Sequence, residues 1–209
     1  YKQVDGVQKE IDKYEYTYDA AHNQDTKTEI VNGINKGKTV FTYDELNRLG
    51  TVLEPSGKLT EYKYDAAGNR EKEIVSTNGT VNAESTYGYN AMNWLKTVTK
   101  VEYTKGDEKA QITKYDYDKN GNQIGVLVDG VATVTYGYDN LNRLTKTTKD
   151  GKEYKYSFNA DGLRIKKASA EGTTVYLYES SKVVMELDAD GNMLAKNVYG
   201  TNLLTRTID

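Results

Sequence analysis

Tyr136-Gly137-Tyr138-Asp139-Asn140-Leu141-Asn142-Arg143-Leu144 is the stretch that decides the fold. Aromatics at i and i+2 project from one face of an extended strand. The Asp that follows can bond its own backbone two residues on and hold a turn, and asparagine tolerates the left-handed conformation such a turn needs. The same grammar recurs in both directions. The aromatic pairs with their polar followers are Tyr16-Thr17-Tyr18-Asp19, Phe41-Thr42-Tyr43-Asp44, Tyr62-Lys63-Tyr64-Asp65 and Tyr87-Gly88-Tyr89-Asn90. Then come Tyr115-Asp116-Tyr117-Asp118, Tyr136-Gly137-Tyr138-Asp139, Tyr156-Ser157-Phe158-Asn159 and Tyr176-Leu177-Tyr178-Glu179. These sixteen aromatic positions absorb 14 of the 19 tyrosines and both phenylalanines. So regular a placement is not chance, and the chain is a repeat array.

About ten residues after each motif a second turn signal follows: Ser56-Gly57, Asn78-Gly79, Asp129-Gly130, Asp150-Gly151 and Glu171-Gly172. Pairs of this kind between alternating segments mark tight hairpins. Each repeat is therefore two strands and two turns, and no sustained helical period interrupts them. The expected fold is all-β: tandem hairpin repeats in a long, curled antiparallel sheet, part of a spiral β-shell. Residues 1–209 read as a single array of about eight repeats.

The turns after the aromatic motif come in two kinds. One carries an apolar residue and then leucine: Asp44-Glu45-Leu46-Asn47-Arg48-Leu49, Asn90-Ala91-Met92-Asn93-Trp94-Leu95 and Asp139-Asn140-Leu141-Asn142-Arg143-Leu144. The other places glycine three residues after the acid or amide, at Gly68, Gly121 and Gly162, with His22 in that slot in the first repeat. The kinds alternate, which gives a unit of two hairpins. The alternation reflects either the setting of successive turns in the sheet or duplication of a two-hairpin segment.

Tyr62 to Arg70 and Tyr136 to Leu144 resemble the repeat of the YD-repeat, or Rhs, family. The tail from Val184 to Asn192, followed by Val198-Tyr199-Gly200, is similar to stretches of bacterial Rhs proteins. The resemblance runs over about the whole chain. It implies β-sheets spiralling into hollow shells, which in bacterial toxins wrap a toxic C-terminal domain and in teneurins serve adhesion. It also implies a secreted or cell-surface setting, and the absence of cysteine fits a Gram-positive surface among other compartments. Two features depart from the family. Shells often end in an Asp-Pro cleavage site, whereas the one proline here, Pro55, follows Glu54, and the 209 residues are read as repeats throughout, with the self-cleaving end and the cargo expected to lie outside them. A chain that starts at Tyr1 rather than Met is expected to be a piece of a longer protein.

Composition narrows the function. Lys+Arg 28 against Asp+Glu 31 leaves a net charge of −3, with no basic footprint for nucleic acid. No apolar run approaches the ~18 residues of a membrane-spanning helix. With Cys 0 there is neither a disulfide framework nor a cysteine metal site.

Specific sites compare poorly with the repeat reading. Asp116-Tyr117-Asp118-Lys119-Asn120-Gly121-Asn122 copies the first half of a calcium loop, but its twelfth position is Leu127 where a bidentate glutamate is needed. Asp188 and Asp190 take the same discount. His22, the sole histidine, lacks an evident nucleophile or orienting partner. Trp94 fills a slot that is arginine in two related turns and reads as packing. The expected site list is therefore empty: no catalytic residues, no cofactor, no metal and no enzyme activity. The expected function is a structural shell segment that encloses or displays a C-terminal toxin-like domain. The alternative is an extracellular binding module for glycans or a partner protein. Expected partners are the rest of the same polypeptide and, for the fragment, another copy pairing edge to edge through its terminal strands.

Overall fold

A computed structural model of the chain describes residues 2–4, 7–9, 12–104 and 107–208. All regular structure among these residues is β-strand. Contacts cluster into two compact units, 1–112 and 113–209. The first contains a small antiparallel pair, β1 (Lys2–Val4) and β2 (Val7–Lys9). An antiparallel meander follows: β3 (Asp12–Tyr18), β4 (Gln24–Val31), β5 (Ile34–Tyr43), β6 (Leu49–Leu53), β7 (Lys58–Tyr64), β8 (Arg70–Thr77), β9 (Thr80–Tyr89) and β10 (Leu95–Thr104). β11 (Asp107–Tyr117) reaches the second unit, where its Thr113–Tyr117 part pairs with β12 (Gln123–Val128). The second meander continues through β13 (Val131–Tyr138), β14 (Leu144–Lys149), β15 (Lys152–Phe158), β16 (Arg164–Ser169), β17 (Gly172–Glu179), β18 (Lys182–Leu187), β19 (Met193–Tyr199) and β20 (Leu203–Ile208).

The second aromatic of each motif marks a fixed irregularity. Tyr43 pairs with Leu49 and Thr42 with Thr51, so Gly50 is an extra residue on the partner strand. The same shift recurs at Tyr18, Tyr64, Tyr117, Tyr138, Phe158 and Tyr178. A bulge of this kind sharpens the local twist beside the turn.

The sheet has little interior. Ala195 is the one buried hydrophobic residue among those described, and no large side chain is fully enclosed. Thr60, Ser76, Ser85 and Asn197 are the buried polar residues. Most tyrosine rings are half-buried. They stand in cross-strand rows such as Tyr136, Thr147, Tyr154 and Ser169. Stability here comes from cross-strand pairs and turns more than from a core.

One expectation fails in detail. The eighth aromatic pair, Tyr176 and Tyr178, is not followed by the motif turn. Glu179 runs into a two-residue turn at Ser180-Ser181, with Ser180 at φ 55°. The motif turn forms one strand later, at Asp188, on the opposite end of the strands. The fourth turn residue explains this. It must adopt positive φ, and it is Lys182 after Glu179 but Gly191 (φ 90°) after Asp188. Glu54 supports the point: with Gly57 (φ 80°) three residues on, even a glutamate makes the motif turn.

Candidate functional site

The turn after each aromatic motif is closed by two backbone bonds. At Asp65 the N–H donates to Asn69 O (2.9 Å), and Gly68 N–H donates back to Asp65 O (3.1 Å). The same pair of bonds closes the turns at Asp19, Asp44, Asn90, Asp118, Asp139, Asn159 and Asp188. The first side chain then takes over the remaining donors. Asp118 Oδ1 accepts from the backbone of Asn120 and Asn122 (both 2.9 Å), and Asn90 Oδ1 does the same for Met92 and Trp94. The fourth residue is left-handed in both turn kinds: Gly68 and Gly121 at φ 87°, Asn47 at 57°, Asn93 and Asn142 at 59°, and His22 at 66°. The two kinds therefore share one backbone and differ in their side chains.

That difference builds a ladder along the edge. In the turns at Asp19, Asp65 and Asp118 the fifth residue is asparagine, whose Nδ2 donates to the aspartate of its own turn and to the next turn's asparagine. Asn23 reaches Asn47 Oδ1 (3.0 Å), Asn69 reaches Asn93 (3.3 Å) and Asn122 reaches Asn142 (2.8 Å). In two leucine turns the fifth residue is arginine. Arg48 Nε donates to Asp44 Oδ2 (2.7 Å), its Nη1 reaches Asp65 O (3.4 Å), and its guanidinium lies 4.6 Å from the Tyr64 ring centre. Arg143 repeats this with Asp139, Asn159 O and Phe158. Each kind of turn thus supplies what the other accepts, so the alternation has a physical role. Sequence reasoning missed the bridging: Asn69 and Arg48 occupy the same slot in opposite turn kinds, but the partners they reach belong to the next turn.

Tyrosine hydroxyls tie each strand to the previous turn. Tyr43 donates to Gln24 O, Tyr64 to Leu49 O and Tyr178 to Arg164 O (each 2.9 Å), and Tyr89 donates to Arg70 O (3.0 Å). The acceptor each time is the first strand residue after the preceding motif turn. Other ring faces carry cations. Arg70 stands over Tyr62 (4.6 Å) and Tyr87 (5.9 Å), and Arg164 over Tyr156 (5.6 Å) and Tyr176 (5.3 Å). Such contacts add modestly to the strand pairing.

The residues singled out from sequence fall into this scheme. Asp118 spends both oxygens on its own turn, Oδ2 accepting from Asn122 Nδ2 at 2.8 Å. The side-chain hydrogen bond from Asn122 holds its carboxyl below the usual range. Asp188 is held down in the same way by Asn192. At Asp44 and Asp139 the leading cause is the backbone N–H of Arg48 and Arg143. Among the described residues no cluster of three or more His, Asp or Glu could hold a metal ion. His22 fills a left-handed turn position. Trp94 occupies the arginine slot, half-buried. Asp188, expected only as part of a tail, forms a motif turn of its own. No helix among the described residues is long and apolar enough to cross a membrane.

The RHS Repeat family matches residues 43–81 and 117–153, each match opening on a second motif tyrosine. Over 98 residues the chain is 37% identical to the tRNA nuclease WapA of Bacillus subtilis, which amounts to 43% of this chain and 4% of that protein. Among solved structures, a TcdB2-TccC3-Cdc42 crystal structure is 16% identical with a TM-score of 0.49, covering 92% of this chain and 14% of that chain. A porin-like protein from Bacteroides uniformis is 13% identical with a TM-score of 0.41, covering 84% of this chain and 86% of the other.

Proposed function

We propose that this chain, a member of the RHS-repeat family, is a length of wall in a larger shell that encloses or displays a toxin-like domain of the same polypeptide. The observation that carries the proposal is that hardly any described residue is buried, Ala195 being the one buried hydrophobic side chain among them. Half-buried rings line the rows through Tyr62 and Tyr136. The alternate rows carry ion pairs such as Lys72–Glu84 and Lys146–Glu153. A surface wet on both sides, stiffened by its turns, suits a partition between two aqueous spaces. Tyrosine fits that setting because its ring packs while its hydroxyl reaches a polar partner. The wall works outside the cytoplasm, secreted or at the cell surface. A glycan-binding surface is the weaker reading, since Arg48, Arg70 and Arg164 already occupy the ring faces a sugar would stack on.

Limited proteolysis of the full gene product tests the wall. A segment beyond residue 209 should resist trypsin in the intact protein and digest readily when expressed by itself. Equal digestion rates in the two settings would overturn enclosure.

A further inference from the structure

Lysines gather on one face of the second unit. Residues 143–167 hold eight Lys or Arg against three Asp or Glu, in a chain that totals Lys+Arg 28 against Asp+Glu 31. Arg143, Arg164 and Lys167 of this stretch lie over the rings of Phe158, Tyr156 and Tyr154. Alternation along the strands sends Lys146, Lys155 and Lys166 to the opposite face. Lys146 stands directly across from Lys155, and Lys166 across from Ser157, two residues further along the strand of Lys155. All three are exposed. They occupy consecutive strands, about 4.8 Å apart. One carboxylate serves them: Glu153 pairs with Lys146 and, at 2.9 Å, with Lys155. Lys166 makes no ion pair among the described residues. Like charges set directly across a strand pair destabilise a sheet, so the arrangement has a cost.

The first unit shows the same place in the repeat with its charges balanced. β6 to β9 repeat β14 to β17, and a glycine turn joins the middle two strands in each. By register Thr51 stands where Lys146 does, Glu61 where Lys155 does, Lys72 where Lys166 does and Glu84 where Thr173 does. Glu84 satisfies Lys72 at 2.8 Å. In the second unit one glutamate is replaced by threonine and the other by lysine. Strand pairing does not demand the excess, because the balanced version makes the same sheet.

We propose that the face carrying Lys146, Lys155 and Lys166 is a docking surface for an acidic protein segment, whose carboxylates stand where Glu61 and Glu84 stand in the first unit. An extended segment with acids at every second residue sets them about 7 Å apart on one side, a spacing that flexible lysines on successive strands can follow. Nucleic acid fits less well. Gly137, Thr148, Ser157 and Ala168 surround the lysines on this face, and unpaired bases need aromatic rings to stack on. The proposal does not rest on the wall reading, since it concerns one face of a few strands.

Fluorescence anisotropy of a short labelled oligoglutamate peptide, titrated with the 209-residue chain at about 50 mM salt, tests the surface, since screening is weak at that ionic strength. Lys146→Gln with Lys155→Gln and Lys166→Gln should weaken binding about tenfold, the combined strength of three exposed ion pairs, without lowering the thermal melt. Lys155→Glu with Thr173→Glu, which copies the first unit's arrangement, should weaken it at least as much. The converse pair, Glu61→Lys with Glu84→Thr, should give the first unit a site of its own and raise the peptide bound per chain from one to two. No binding by the unaltered chain, or binding unchanged by the three glutamines, would overturn the docking surface. Tighter binding of an oligothymidylate with the same number of charges would overturn the assignment to carboxylates.

Discussion

Two stretches obey the same turn grammar with different results. Within each unit, as far as the turn at Asp139, every turn with asparagine at its fifth position is bonded to the leucine turn after it. From β17 to β20 the pattern changes. Leu163 replaces the bridging asparagine in the turn at Asn159, Ser180-Ser181 takes the place of the next motif turn, and the turn at Asp188 lies at the other end of the strands. Asn192 Nδ2 still bonds Asp188 Oδ2 at 2.8 Å, so that turn is internally complete. What it lacks among the described bonds is a bridge to a neighbouring turn. Closure of a turn is therefore local, set by its first and fourth residues, while the ladder depends on two complementary turns sharing an edge.

Acid should produce the largest effect and should separate aspartate turns from amide turns. Asp19, Asp44, Asp65, Asp118, Asp139 and Asp188 are all held below the ordinary carboxylate pKa, by hydrogen bonds from Asn23, Arg48, Asn69, Asn122, Arg143 and Asn192 respectively. A group whose folded pKa is depressed stabilises the fold above its unfolded value, about 3.9, and that stabilisation is lost as pH falls through the folded value. The melting temperature should hold steady above about pH 5 and drop steeply below about pH 4. Asn90 and Asn159 make the same turn with an amide, so Asp65→Asn with Asp118→Asn should flatten the acid limb. A melt independent of pH down to 2 would mean these bonds carry no weight.

Glycine substitutions come next and compare backbone strain with close approach. Gly68, Gly121 and Gly191 all have positive φ, with nothing within 4 Å of an added Cβ. Alanine at any of them should cost about 1 kcal/mol, in the ladder or outside it, because only the backbone resists. Gly37 differs: at φ 101° its Cβ would lie 2.5 Å from the Pro55 Cβ. Gly37→Ala should cost about 3 kcal/mol by denaturant titration, since overpacking adds to the backbone term. Equal losses at Gly37 and Gly68 would show that β5 yields freely at its contact with Pro55.

The sequence made the strands and most turns legible because both rest on local chemistry. Alternating Tyr and Thr, Asp at the turn entry and Gly or Asn three residues on are each interpretable without tertiary information. The shift at Tyr178 was also local in cause, but aromatic spacing outweighed Lys182, a residue ill suited to positive φ. Gly37 was not legible, because its need for glycine comes in part from Pro55, in the turn that follows the neighbouring strand β6. Nor were the roles of Arg48 and Asn69, whose partners belong to the next turn. The empty list of catalytic and metal residues came from the same reasoning: Asp118 looked like a ligand in isolation and like a turn residue beside Asp65.

The smallest expected effect bears most directly on the ladder. If the turns act together, removing both members of a bridge should cost less than the sum of the single losses. Asn122 Nδ2 serves Asp118 in its own turn and Asn142 in the next. Asn142 also holds a left-handed φ, so Asn142→Gly is the cleaner partner substitution, removing the acceptor without adding strain. A double-mutant cycle of Asn122→Ala and Asn142→Gly should give a coupling of about 0.5–1 kcal/mol, the range for contacting hydrogen-bond partners. Asn192→Ala paired with Asn142→Gly, sites that share no bond, should give a coupling within about 0.3 kcal/mol of zero. A negligible first coupling would reduce the ladder to turns that merely lie side by side. The alternation of glycine and leucine turns would then need no account beyond duplication of a two-hairpin segment.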